Sequence, residues 1–140
     1  NTSSIHLENF LIANSKFKNV SVAKKWGKIK DIRKVITGAL EKKRAAKIIG
    51  SSLEAHINVY LSKEMKSNIE NIDIAEIAIT SSATLMVYES LSPGFSIDEI
   101  KGIIVDVKKS NGSKCNRCWK FDNEINSDSL CNRCKDAIKK

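Results

Sequence analysis

The sequence predicts an α+β fold: one long amphipathic helix, a small mostly antiparallel sheet with a short helix, and a C-terminal four-cysteine zinc knuckle. Three observations predict it. Apolar residues recur at spacings of three and four from Ser21 to Lys47, the signature of a helix with one buried face. They alternate with polar residues from Leu53 to Leu61 and again around Val105, as in half-buried strands. All four cysteines stand in two C-x-x-C pairs, Cys115/Cys118 and Cys131/Cys134, with twelve residues between the inner two.

Composition bounds the rest. The 140 residues suffice for one modest core plus a small metal-stapled module. With 41% hydrophobic and 29% charged residues the chain reads as soluble and globular, and no apolar run approaches the ~20 residues of a membrane span. The net charge of +8 is unevenly placed. Residues 16–47 hold twelve Lys and Arg against two acids, residues 48–107 three against nine, and residues 108–140 nine against four. Two basic regions thus flank an acidic middle. Clustered cations displace counterions from a phosphate backbone, which points to a polyanionic partner; a solvated face in a lysine-rich chain gives the same charge map.

Taken in order, residues 1–19 form a lead-in with a short apolar-containing segment from Ser3 to Phe10, in which His6 is a packed or capping histidine. The long helix follows, with Ser21 as its N-cap and Gly50 beyond its end. Val22, Trp26, Ile29, Ile32, Ile36 and Leu40 make its apolar stripe, which places Trp26 in the core. Gly27 and Gly38 interrupt it, each at a cost of roughly 1 kcal/mol relative to alanine. Lys24, Lys25, Lys28, Lys34, Lys42 and Lys43 occupy the opposite face, and Glu41 with Arg44 make an intrahelical pair. The strand from Leu53 to Leu61 carries His56 on its polar side, exposed and unspecialised. Ser62 caps a short helix bearing Met65, Ile69 and Ile72. A second strand is expected across Glu76 to Ser81 and a third across Leu85 to Tyr88; a turn falls at Ser92-Pro93-Gly94, and a last strand through Ile103, Val105 and Val107 leads into the cysteines.

Two C-x-x-C turns bring four sulfurs to one point, and zinc suits the resulting tetrahedron best. A disulfide framework calls for an oxidising compartment, yet residues 1–15 lack the basic start, apolar run and cleavage site of a secretory signal. A redox dithiol needs one pair in a βαβ setting, which is not what precedes Cys115. With four cysteine ligands no coordination position stays open, so the ion's role is structural. No phosphate loop, dinucleotide turn or Ser-His-acid set is present in the sequence, and the expectation is a chain without catalytic residues.

Several stretches are also familiar. Ser4-Ile5-His6-Leu7 with Phe10, Trp26-x-x-Ile29-x-x-x-Arg33, Ala39-Leu40-Glu41-x-x-Arg44, Ile49-Gly50-Ser51-Ser52-Leu53-Glu54-Ala55, Lys114-Cys115-x-Arg117-Cys118-Trp119 and Leu130-Cys131-x-Arg133-Cys134 resemble, in that order, the C-terminal part of bacterial isoleucyl-tRNA synthetases. The resemblance spans nearly the whole chain. It implies the end of a helical anticodon-binding domain over 1–49, a small α/β junction domain over 50–110 and a zinc-binding module over 111–140. It further implies a cytoplasmic, monomeric ATP-dependent ligase whose catalytic and editing domains lie upstream. The signatures His-Ile-Gly-His and Lys-Met-Ser-Lys-Ser of such active sites are absent from these residues. The implied partner is the anticodon arm of tRNA(Ile), and the implied cofactor is one structural Zn2+ on Cys115, Cys118, Cys131 and Cys134.

Candidate RNA contacts are Lys24, Lys25, Lys28, Arg33, Lys42 and Lys43 on the helix, with Arg117, Trp119, Lys120, Arg133 and Lys135 on the module. Trp119 either packs on the small module or offers its indole to an unstacked base, and the module's need for a core favours packing. Two other readings share the cysteine pattern: a zinc-ribbon DNA-binding module of the glycosylase type, and a zinc-stapled protein-docking module.

Overall fold

A computed structural model describes residues 4–69, 71–89, 92–125 and 129–139. Residues 1–3 of the predicted lead-in lie outside the described residues, as do residues 126–128 between the cysteine pairs.

The long helix α1 runs Val20–Ala45, about 39 Å at 1.5 Å per residue. Its cap lies two residues earlier than predicted, at Asn19 and not Ser21. The Asn19 Oδ1 accepts the Val22 N–H at 3.1 Å, and the Ser21 hydroxyl donates to that same oxygen at 2.8 Å. Burial begins only at Ile29 and continues through Ile32, Val35, Ile36, Ala39 and Leu40. Trp26 is 45% exposed, which corrects its placement in the core: the first two turns of α1 carry their apolar residues outside the cluster that the later turns build. The Glu41–Arg44 pair forms as expected. Before the helix, single 3-10 turns occupy Ile5–Leu7 and Ser15–Phe17. His6 is exposed, and its backbone N–H donates to the Ser4 hydroxyl.

Four strands form the main sheet in the order β2-β1-β4-β3. β1 (Ala55–Leu61) pairs parallel with β2 (Ser82–Val87) and antiparallel with β4 (Ile100–Lys109), whose far side carries β3 (Phe95–Ile97), also antiparallel. The sheet is therefore mixed but mostly antiparallel. The parallel pair needs a crossover, which α2 (Lys63–Ile69) and α3 (Ile74–Ala78) supply. Ser62 caps α2 as predicted, its hydroxyl accepting the Met65 N–H at 3.2 Å. The strand predicted across Glu76 to Ser81 is instead α3. Asp73 caps it by accepting the Glu76 N–H at 3.1 Å, and Ile79 ends it in the left-handed region at φ 57°.

Register sets what the sheet buries. Ile57 faces Val107, Val59 faces Val105 and Leu61 faces Ile103, and these six are buried in one core with the inner face of α1. The even-numbered residues point the other way. There His56 is half-buried rather than free, its Nδ1 lying 2.7 Å from the Ser82 Oγ and its Nε2 3.1 Å from the Asn58 Oδ1. Asn58 is itself buried, and the imidazole gives its side chain a partner there.

Candidate metal centre and its basic surroundings

A second cluster, separate from the first, contains Cys115, Cys131 and Cys134 with Cys118, Ile125 and Leu130 packed against them. Local structure brings the cysteines together in two ways. A two-stranded hairpin, β5 (Ser113–Lys114) and β6 (Phe121–Asp122), frames the first C-x-x-C turn. Gly112 permits its entry: φ is +90°, and a Cβ there would stand 2.3 Å from the Asp122 carbonyl oxygen. Within the turn the Trp119 N–H donates to the Cys115 carbonyl and the Cys115 N–H to the Lys120 carbonyl, both at 2.9 Å. The second pair is held by helix geometry, since Cys131 precedes and Cys134 lies within α4 (Asn132–Ile138).

The four sulfurs all lie within 4.8 Å of one another, and those of Cys118 and Cys131 are 3.7 Å apart. Zinc–thiolate bonds of about 2.3 Å in a tetrahedron set sulfurs ~3.8 Å apart, so the donor set fits such an ion. None of the four is in a disulfide, whose bond would draw two sulfurs to about 2 Å.

The surroundings favour negative charge on the sulfurs unequally. Burial pushes the Cys115 thiol up, but backbone donors of Cys118, Cys131 and Arg117 outweigh it and hold it at about 6, against an ordinary 9.0. The Cys131 N–H is one such donor, 3.4 Å from the Cys115 Sγ. Cys131 goes the other way: burial, reinforced by the neighbouring cysteine sulfurs, pushes it up to about 12. Arg117 reaches the Cys134 sulfur at 3.7 Å, a cation directed at the developing thiolate cluster.

The nominated basic residues fall in several places. Lys24 and Lys25 are exposed on the first turns of α1, while Lys28 lies 3.7 Å from Glu64 of α2. The Lys42 Nζ lies 5.8 Å from the Phe95 ring centroid, and Lys43 lines the same shallow cavity. Arg33 donates to the Ile77 carbonyl of α3 at 3.2 Å. On the module, Lys120 and Arg133 share one carboxylate oxygen of Glu76, at 2.6 and 3.4 Å. Glu76 is also what raises the Arg133 guanidinium further above its usual range. Lys135 is half-buried on α4.

Trp119 does not pack into the module as predicted. Its backbone is left-handed, φ 67°, and the residue is 59% exposed, with the Lys114 Nζ 5.1 Å from the ring centroid. Sequence reasoning also missed Glu76 and Ser81. The Phe121 N–H donates to the Ser81 Oγ at 2.6 Å, across the junction between module and sheet, and no local pattern links residues forty apart.

No protein-family model matches the chain. Curated relatives do. It is 41% identical over 128 residues to the isoleucine–tRNA ligase of Bartonella henselae, 37% identical over 126 to that of Brucella abortus, and 38% identical over 130 to that of Rhodopseudomonas palustris. These alignments take in 91%, 89% and 90% of this chain but only 13% of each relative.

Proposed function

We propose that this chain, a homologue of one segment of the isoleucine–tRNA ligases, is a tRNA-binding part of such an enzyme whose four-cysteine module holds one zinc ion and helps seat the anticodon arm of tRNA(Ile). On this reading ATP-dependent aminoacylation belongs to the rest of the enzyme's length. The same reading takes the enzyme as cytoplasmic and monomeric. Among the described residues no helix is long and apolar enough to cross a membrane.

The supporting observation is four convergent sulfurs with cations and an outward indole beside them. Zinc, once bound, supplies a fixed closed polyhedron and no reactive position. The chain's own residues do the rest: Arg117, carried on the first turn, offers phosphate contacts, and Trp119 offers a face to an unstacked base. Lys24, Lys25, Lys28, Arg33, Lys42, Lys43 and Lys135 are proposed to extend the electrostatic surface; Lys120 and Arg133 face Glu76.

Binding of the zinc-replete chain to tRNA(Ile), measured against salt, tests the proposal. Log affinity should fall linearly with log salt, with a slope near −4 if roughly five phosphates are contacted. An isolated anticodon stem-loop should retain most of that slope. A flat salt response would instead favour protein docking, and equal affinity for duplex DNA of the same charge would favour the DNA-binding reading.

A further inference from the structure

The module and the body of the fold have separate apolar clusters, so hydrophobic packing does not by itself fix how one sits on the other. Polar contacts cross the junction. The Glu76 Oε1 meets Lys120, between the first C-x-x-C turn and β6, and Arg133 on α4, so one carboxylate touches both halves of the module. Glu76 stands in the first turn of α3, which Asp73 caps and which Arg33 of α1 ties down through the Ile77 carbonyl. Ser81, just beyond α3, takes the Phe121 N–H, makes a close hydrogen bond to the Leu53 carbonyl, and donates its backbone N–H to the Ala55 carbonyl at 3.1 Å.

We propose that Glu76 is a positioning residue, a latch that sets the orientation of the four-cysteine module on the sheet by engaging Lys120 and Arg133 together, with the Phe121–Ser81 hydrogen bond closing the same junction. Two cations converge on a single oxygen, the arrangement a phosphate would otherwise draw from them. Lys120 is the more committed of the two, its side chain 21% exposed against 65% for Arg133. These two basic residues therefore hold the module down instead of meeting RNA. The latch requires neither RNA nor the tRNA reading.

Backbone hydrogen exchange in the zinc-replete chain tests it. The Phe121 amide reports the junction, while the Cys115 amide, bonded to the Lys120 carbonyl inside the module, reports the module's own fold. Glu76→Gln keeps the backbone cap of α3 and removes the charge. Exchange at Phe121 should then rise roughly fivefold, the scale of two partly exposed ion pairs, with Cys115 unchanged. Molar salt should move the unsubstituted chain the same way. The exchanged pair Glu76→Lys with Lys120→Glu should recover most of the protection that Glu76→Lys alone loses. An unchanged Phe121 amide in Glu76→Gln overturns the proposal. So does an equal rise at Cys115, or failure of the exchanged pair to recover protection.

Discussion

Trp119 illustrates how a single backbone angle decides a side chain's role. A bulky residue at φ 67° is strained by about 1–2 kcal/mol, and here the indole lies outward beside Lys114 instead of filling the small module. Trp119→Ala should accordingly change the thermal stability of the zinc-loaded chain by less than about 1 kcal/mol, the scale of an exposed cation–π contact. Its cost should appear in RNA affinity, about 1–3 kcal/mol if a base stacks there. A large loss of stability with unchanged affinity would return Trp119 to a packing role. The thiols add a pH dependence. At pH 7 Cys115, at about 6, is already mostly thiolate, whereas Cys131, at about 12, still holds its proton and must release it to bind a cation. Metal binding thus expels protons, affinity rises with pH, and it weakens further as pH drops through 6 and Cys115 also protonates. Titration in weak buffer should show acidification on adding zinc; alkalinisation would contradict the assignment.

Among the elements, α1 shows both the reach and the limit of periodic patterns. Its length and buried stripe from Ile29 to Leu40 were legible, because a helix on a sheet repeats every three or four residues. Gly38, which reads in sequence only as a helix weakener, has a tertiary reason. A Cβ there would meet the Phe95 ring at 2.6 Å, so β3 packs directly on the helix backbone. Gly38→Ala should therefore destabilise by about 1–3 kcal/mol in denaturant melts despite its better helix propensity, and a gain in stability would contradict that packing. β1 and β4 were legible from alternation, whereas β3, with three residues, is too short to show a period. α3 was misread as a strand because Ile77, Ile79 and Thr80 are β-branched residues of high strand propensity. The capping pattern Asp73-x-x-Glu76 was the signal that identifies it as a helix start. The parallel partnership of β1 and β2 follows from that correction, since a helical crossover is what lets two successive strands run the same way.

At the scale of the molecule, the cysteine spacing made the clustering of four sulfurs legible, while the docking of their module was not, because Glu76 and Ser81 meet the module only after forty or more residues of intervening chain fold. One apolar core serves α1 and the sheet, and the second cluster is little more than four cysteines with Ile125 and Leu130. On the proposed zinc reading, so small a cluster makes the module depend on the ion, whereas the larger core does not need it. Removing the metal should unfold the hairpin and α4 while leaving α1 and the four-stranded sheet intact, visible as exchange loss confined to residues after about Ser110. Cys118→Ser should reproduce the effect. The central claim, four sulfurs holding one ion that shapes a basic tip, is tested most directly by the mass of the folded chain under native conditions, with thiols counted before and after chelation. The account predicts one zinc per chain and four cysteines that become reactive only when it is withdrawn. A metal-free mass with the cysteines bridged and the module still protected would contradict it.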